Sequence, residues 1–186
     1  MKFRRRREAR TNYKSRIALV SSGLDRITVR KTSRKIVSQI FRYDEKGDVA
    51  LLYADSSELS AFKWPSRSNR PTAYLLGLLL AKKIKADSKL KSAEFILDIG
   101  LSSPVKNSIP FVFAKGCIDG GIKLRSGISI DEKTYNCSDA KYAKELKEKD
   151  PEKYKKQYSA YIKAGIEADA LGSLFNKTKE LILNAG

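Results

Sequence analysis

The chain contains no histidine, two cysteines, one tryptophan and one methionine among its 186 residues. Without imidazole it lacks every catalytic scheme in which histidine is the base or a metal ligand. Cys117 and Cys137 stand twenty positions apart with no histidine to complete a set, which excludes zinc-finger spacing and most zinc chemistry. One disulfide is formally open. With no secretory signal, two reduced thiols packed as small apolar groups are the expectation. Long hydrophobic runs are also missing. The longest, Leu75–Ala81, includes Gly77 and is far short of the roughly 20 residues a membrane span needs. Ile17-Ala18-Leu19-Val20 is too short for the apolar part of a signal peptide, and no small-residue cleavage site follows. A soluble protein without a membrane partner is expected.

Negative charge is scarce where positive charge is dense. Residues 1–35 hold 13 of the 38 Lys and Arg and only two acids, Glu8 and Asp25, for a net +11 out of +17. The remaining 151 residues carry only +6, so a basic arm is joined to a body of nearly ordinary charge. Such an arm repels itself unless a polyanion neutralises it, and nucleic acid is the commonest such partner. A hydrophobic fraction of 41% is enough for a packed core. The length suits one domain with an appended segment.

Residues 6–20 read as an amphipathic helix, with Ala9, Tyr13, Ile17 and Val20 as an apolar stripe. Arg7, Arg10 and Lys14 line another face, and Ser21-Ser22-Gly23 supplies a stop. Three strands follow, Ile27–Lys31, Ile36–Tyr43 and Asp48–Asp55, forming an antiparallel meander. The first turn, Thr32-Ser33-Arg34, collects Arg30, Lys31, Arg34 and Lys35, with Thr32 and Ser33 as hydroxyl donors. The second, Asp44-Glu45-Lys46-Gly47, is acidic and has glycine where a positive φ is expected. One end of the sheet therefore suits phosphate and the other does not.

Ser56 or Ser57 is expected to cap a short helix ending at Phe62. A loop from Lys63 to Arg70 then carries the sole Trp and three cations, a composition that suits stacking on unpaired bases and phosphate contact by Arg67 and Arg70. For Trp64 itself, a hydrophobic plug under the loop is the better reading. Pro71 opens a helix to about Ala86, apolar nearly all round and hence buried against the sheet, with Gly77 permitting close helix–strand approach. Ala93–Ile99 reads as a central parallel strand reached by a right-handed crossover. Ser108–Gly121 reads as a second buried helix, its Gly-Gly pair closing the end rather than cradling phosphate. Asp139–Ile162 is charged and Tyr-rich, restarts at Asp150-Pro151, and bears the stripe Tyr154, Tyr158, Tyr161 and Ile162. Gly165 ends it. A last helix carries Leu171, Leu174, Phe175, Leu181 and Ile182 and should pack on the body or on a neighbouring protein. The domain division expected is an arm at 1–22, an α/β body at 23–132 and a helical extension at 133–186.

The catalytic signal is weak. Asp98, at the carboxyl end of a central strand, stands where α/β enzymes place a functional acid. Glu94 and Asp98 share a strand face, but about 13 Å separates them, too far to hold one ion. A structural role for Asp98, pairing with a cation or bonding a neighbouring loop, is the expectation. No cofactor, metal or small-molecule substrate is implied.

Several motifs in order resemble one family. These are the Arg-rich start with Tyr13-Lys14-Ser15-Arg16; Arg26-Ile27-Thr28-Val29-Arg30-Lys31 continuing through Ile36–Ile40; Asn69-Arg70-Pro71-Thr72-Ala73-Tyr74-Leu75-Leu76-Gly77; Leu97-Asp98-Ile99-Gly100-Leu101; and Val112-Phe113-Ala114-Lys115-Gly116 with Asp119-Gly120-Gly121. The chain resembles the large-subunit ribosomal protein L eighteen family in its archaeal form, whose eukaryotic counterpart is the 5S rRNA-binding protein L five. The resemblance implies an α/β, ribonuclease-H-like fold of the translational-component type. It also implies a non-catalytic role anchoring 5S rRNA in the central protuberance of the cytoplasmic ribosome's large subunit, beside large-subunit rRNA and neighbouring ribosomal proteins. Matched residue by residue, it selects Arg4, Arg5, Arg6, Arg7, Arg10, Tyr13, Lys14 and Arg16 in the arm. It further selects Arg30, Lys31, Ser33, Arg34, Lys35, Gln39, Arg67, Asn69 and Arg70 for RNA contact. Alternatives from other classes are a metal-dependent nuclease of the same fold and a general RNA chaperone.

Overall fold

The computed structural model describes residues 4–65, 67–127, 130, 135, 139–163, 165–167 and 170–184. Ser66 and Cys137 lie outside them, and with Cys137 the expectation about the thiol pair. Cys117 is reduced and fully buried, and that burial pushes its thiol far above the usual range.

A five-stranded mixed sheet forms the centre, in the order β3-β2-β1-β4-β5. The meander is present: β1 (Asp25–Lys31) pairs antiparallel with β2 (Ile36–Arg42), and β2 with β3 (Val49–Asp55). Strand β4 (Glu94–Asp98) lies parallel to β1. A fifth strand, β5 (Lys123–Arg125), runs parallel to β4 and is not foreshadowed by the sequence pattern. Its three residues alternate charged, apolar, charged, too short a pattern to separate from a loop. Gly47, between β2 and β3, has φ +145°, in the region that favours glycine.

Alternation along these strands sorts the two sheet faces. Ile27, Val29, Ile36, Ile40, Phe95 and Leu97 point inward and are buried. Each such side chain contributes about 1.5–3 kcal/mol by leaving water. They meet helices α3 (Arg70–Ala86) and α4 (Ile109–Asp119), whose buried residues complete the core. Asn69 caps α3 by accepting from the Thr72 N–H at 3.1 Å, and Pro71 stands in the first turn, as its missing N–H allows. Gly77 serves a helix–helix contact instead of the expected helix–strand one. A Cβ there would meet the α4 backbone, 2.9 Å from the Cys117 nitrogen, and Gly116 faces back toward Tyr74. Gly120 and Gly121 close α4, the latter at φ +85°.

The N-terminal helix expected over residues 6–20 is broken in two. Arg4–Arg7 forms a single turn, α1, and Tyr13–Ser21 forms α2. Between them Ala9 takes φ +52°, and the Asn12 carboxamide accepts from the Ser15 N–H at 3.2 Å, starting a new helix. The stripe drawn on that longer helix is not a buried face: Ile17 is 66% exposed, Ala9 is exposed, and Tyr13 and Val20 are half-buried. The short helix after β3 is a 3-10 segment, Ser56–Phe62. Its cap is Asp55, not a serine, completed by Glu58 in a capping box.

Toward the C-terminus, α5 (Asp139–Lys149), α6 (Pro151–Gln157) and α7 (Ser159–Lys163) replace the two-part helix expected there. Tyr154, Tyr158, Ala143, Leu146 and Leu171 make a small second core, with Tyr161 packed against it. Ile162, from the same expected stripe, is 43% exposed. Helix α8 (Leu171–Asn184) sends Phe175 and Ile182 into the main core, where Phe175 meets Trp64 edge-on at 5.9 Å. Leu174 is half-buried and Leu181 is 49% exposed. No helix among the described residues is long and apolar enough to cross a membrane.

Candidate nucleic-acid interface

The outer sheet face mixes charged and polar side chains with a few apolar ones, and it is this face that the arm and α2 approach. Cross-strand register places Arg26, Thr28 and Arg30 of β1 beside Phe41, Gln39 and Val37 of β2 on one flank. On the other flank lie Ile96 and Asp98 of β4. Between this face and the N-terminal segment is an open cleft of about 710 Å³. Its cationic lining is Arg5, Arg10, Arg16, Arg26, Arg30 and Lys31, against two acids, Asp48 and Asp98. Such an imbalance in a concave surface concentrates positive potential.

Among the described residues of the arm, Arg4, Arg5 and Arg10 are exposed, and each contacts a neighbour within the arm. Arg4 Nε donates to Glu8 at 2.9 Å, Arg10 pairs with Glu8 at 3.2 Å, and Arg5 Nε donates to Thr11 Oγ1 at 2.8 Å. These exposed pairs are worth little in water and can be exchanged for phosphate. Arg6, Arg7 and Lys14 are exposed, and Tyr13 is half-buried at the start of α2.

At the far end of β1 the first turn is held by Thr32. Its hydroxyl donates to the Lys35 carbonyl at 2.7 Å and accepts from the Lys35 N–H at 3.0 Å. Thr32 is therefore spent on the turn, while Lys31, Ser33 and Arg34 stand exposed around it. Lys35 instead pairs with Asp55 at 2.8 Å. Burial of Asp55 opposes its ionisation. Hydrogen bonds from Lys35, the Tyr53 hydroxyl and the Ser57 N–H outweigh that and hold the carboxyl well below its usual range.

Along the cleft floor cations and acids alternate. Arg16 Nη2 donates to Asp48 Oδ2 at 2.8 Å. Arg26 Nη2 lies 2.7 Å from the same oxygen but off the hydrogen-bond axis, so charge attraction is the contact. Arg26 also lies 3.7 Å from Asp98, and Arg30 donates to the Asp98 carboxylate at 3.3 Å and to its carbonyl at 3.0 Å. Asp98 further accepts from the Gly100 N–H at 2.8 Å. The structural role expected of Asp98 is the one it has. Glu94 is engaged separately, by Arg125 through two hydrogen bonds of 2.8 and 3.1 Å. No cluster of potential metal ligands occurs among the described residues.

The loop before α3 is not part of this cleft. Trp64 is a plug, 1% exposed, with its indole N–H donating to Thr72 Oγ1 at 2.9 Å. Arg67 lies over the Tyr161 ring at 5.4 Å, and the Asn69 amide donates to the Tyr161 hydroxyl at 2.9 Å. Arg70 is exposed in the first turn of α3, where a cation faces the positive end of the helix dipole. Of the expected contact residues, Arg5, Arg10, Arg16, Arg30 and Lys31 line the cleft, whereas Arg67, Asn69 and Arg70 stand apart at the α3 entrance. Sequence reasoning missed Arg26 and Asp48. A charged residue inside the alternating run Arg26-Ile27-Thr28-Val29 was the available signal, since its outward face must meet either water or acids.

The profile of the family described as "Ribosomal large subunit proteins 60S L5, and 50S L18" matches residues 1–95. The chain is 41% identical to the large ribosomal subunit protein uL18 of Thermofilum pendens over 187 aligned positions, covering 98% of this chain and 94% of the relative. It is equally 41% identical, over the same shares, to uL18 of Methanococcus maripaludis. The match to these archaeal proteins runs through both the arm and the C-terminal helices. The chain belongs to the uL18 family, as a structural, non-enzymatic protein of the large ribosomal subunit.

Proposed function

We propose that the chain binds 5S rRNA and helps anchor it in the central protuberance, touching large-subunit rRNA and neighbouring ribosomal proteins there. The observation that carries this reading is the convergence of arm, α2 and β1 cations on one cleft. RNA is the polyanion that a large-subunit protein meets, and phosphate contacts fix its register. Arg4–Arg7, Arg10, Lys14 and Arg16 neutralise phosphates from the arm side, and Arg30, Lys31, Ser33, Arg34 and Lys35 from the sheet end. Arg67, Asn69 and Arg70 form a separate grip. Gln39 and Tyr13 supply a polar and an aromatic surface near the cleft for unpaired bases. The proposed topology is ribonuclease-H-like. Its proposed division is an arm at 1–22, a body at 23–132 and an extension at 133–186, the last of these helices built into the body core.

Footprinting on 5S rRNA, with the full chain and with a chain lacking residues 1–16, tests this. The full chain should protect a discrete region, and the shortened chain a subset of it with much weaker affinity. Equal protection of a length-matched unrelated RNA would favour a general RNA chaperone instead.

A further inference from the structure

The two acids of the cleft stand where simple electrostatics would not put them. Asp48 and Asp98 face an otherwise cationic surface, and each lowers its attraction for phosphate. Their geometry gives them a different use. Asp48 holds Arg16 at 2.8 Å and Asp98 holds Arg30 at 3.3 Å, while Arg26 lies between both carboxylates at 2.7 and 3.7 Å. The Arg26 side chain is 4% exposed, whereas those of Arg16 and Arg30 are 40% and 46% exposed. The buried guanidinium therefore fixes the acids; Asp48 in turn fixes Arg16, and Asp98 completes the hold on Arg30 begun by the Val29 and Asp98 carbonyls at 2.9 and 3.0 Å.

The backbone is shaped for this. Gly100 has φ +65°, and a Cβ there would come within 2.8 Å of Arg30 Cζ. Only glycine leaves the Arg30 head room to lie across the end of β4. Arginine has five N–H donors in a rigid fork, so one engaged with a carboxylate keeps others for a second anion. A long cation fixed in advance loses less side-chain freedom on binding than a loose one.

We infer that Asp48 and Asp98 are positioning residues for RNA binding: they set Arg16 and Arg30 as a rigid pair across the cleft, with Arg26 as the strut beneath. The inference rests on the 5S rRNA reading above. It predicts that removing a negative charge from a basic surface weakens binding to RNA.

Affinity of the full chain for 5S rRNA and for a length-matched unrelated RNA, read by fluorescence anisotropy, tests it. Asp48→Asn should bind 5S rRNA roughly five- to tenfold more weakly despite its added positive charge, because networked residues couple strongly. Arg16→Gln should weaken binding in the wild-type background and have little further effect beside Asp48→Asn. A purely structural role would make the two losses add. Glu45→Gln, in the acidic loop at the other turn, should bind as the wild type does or slightly tighter. Asp98→Asn, acting through Arg30, gives a second arm, and Arg16→Gln, which leaves Asp48, Asp98 and Arg26 in place, reads the loss of one positioned cation should either Asn variant not fold. If the wild type prefers 5S rRNA and both Asn variants bind as tightly as it does or tighter, the positioning role is overturned and the 5S reading stands. If the wild type shows no preference for 5S rRNA, both fall.

Discussion

Asn69 and Tyr161 meet side chain to side chain, the Asn69 amide donating to the Tyr161 hydroxyl at 2.9 Å. The same Asn69 caps α3 through its other polar atom, accepting from the Thr72 N–H. One residue thus starts the central helix and fastens the C-terminal helices to it. Asn69→Ala should lower unfolding stability by about 1–2 kcal/mol, since it removes a cap and a partly buried hydrogen bond together. Tyr161→Phe keeps the cap and should cost about 0.5–1.5 kcal/mol. Urea denaturation with an unchanged slope would measure both. Equal losses would mean that the cap contributes nothing.

The α3–α4 crossing leaves no space for a side chain at Gly77, whose added Cβ would run into the α4 backbone. Backbone cannot swing aside as the end of a flexible side chain can. Gly77→Ala should therefore cost about 1–3 kcal/mol or more by forcing the helices apart. Gly172, in α8, serves as the control, because a Cβ added there would meet no heavy atom within 4 Å. Gly172→Ala should be neutral or slightly stabilising in the same melt.

Trp64 is the only tryptophan, so its fluorescence reports one place. Buried against Phe175 and bonded to Thr72, it should resist acrylamide quenching and change little when 5S rRNA is added. Strong quenching on RNA addition would show that it stacks on a base. Trp64→Ala should cost about 3–5 kcal/mol in stability by opening a cavity.

The Asp55 cluster gives a pH dependence of definite sign. Its carboxyl is held below the unfolded value, so the stabilisation is fully present above about pH 4 and is lost as pH falls further toward the folded value. The denaturation midpoint should drop on acidification below about pH 4. That drop should be smaller in Asp55→Asn, which is less stable at neutral pH. Equal slopes in the two proteins would mean that other carboxylates dominate.

The meander, its acidic and basic turns, and the buried helix after Pro71 are all legible from local pattern. β-Branched alternation, turn chemistry and an all-round apolar run are short-range signals. The arm helix is not, because spacing from Ala9 to Val20 looks continuous, while a backbone turn at Ala9 and a new cap at Asn12 interrupt it. Strand β5 escapes because a three-residue strand is recognisable only by its partner β4. Gly77 meets a different neighbour from the one expected because a glycine announces close approach without saying to what. In the site, the cations are legible as charge, and their division is not. Arg26, Asp48 and Asp98 come from three separate strands or strand ends, and only folding brings them together. Arg67 and Asn69 read as loop residues facing solvent until the distant Tyr161 closes over them.

The central claim is that the basic arm and the cleft neutralise 5S rRNA phosphates. Its most direct test is the salt dependence of 5S rRNA affinity for the full chain and for the chain lacking residues 1–16. With about 8 cations engaged, log K should fall against log salt with a slope of roughly −6 to −7. The shortened chain should show a distinctly shallower slope while still binding. A slope near −1 for the full chain, or the same slope with and without the arm, would contradict the account.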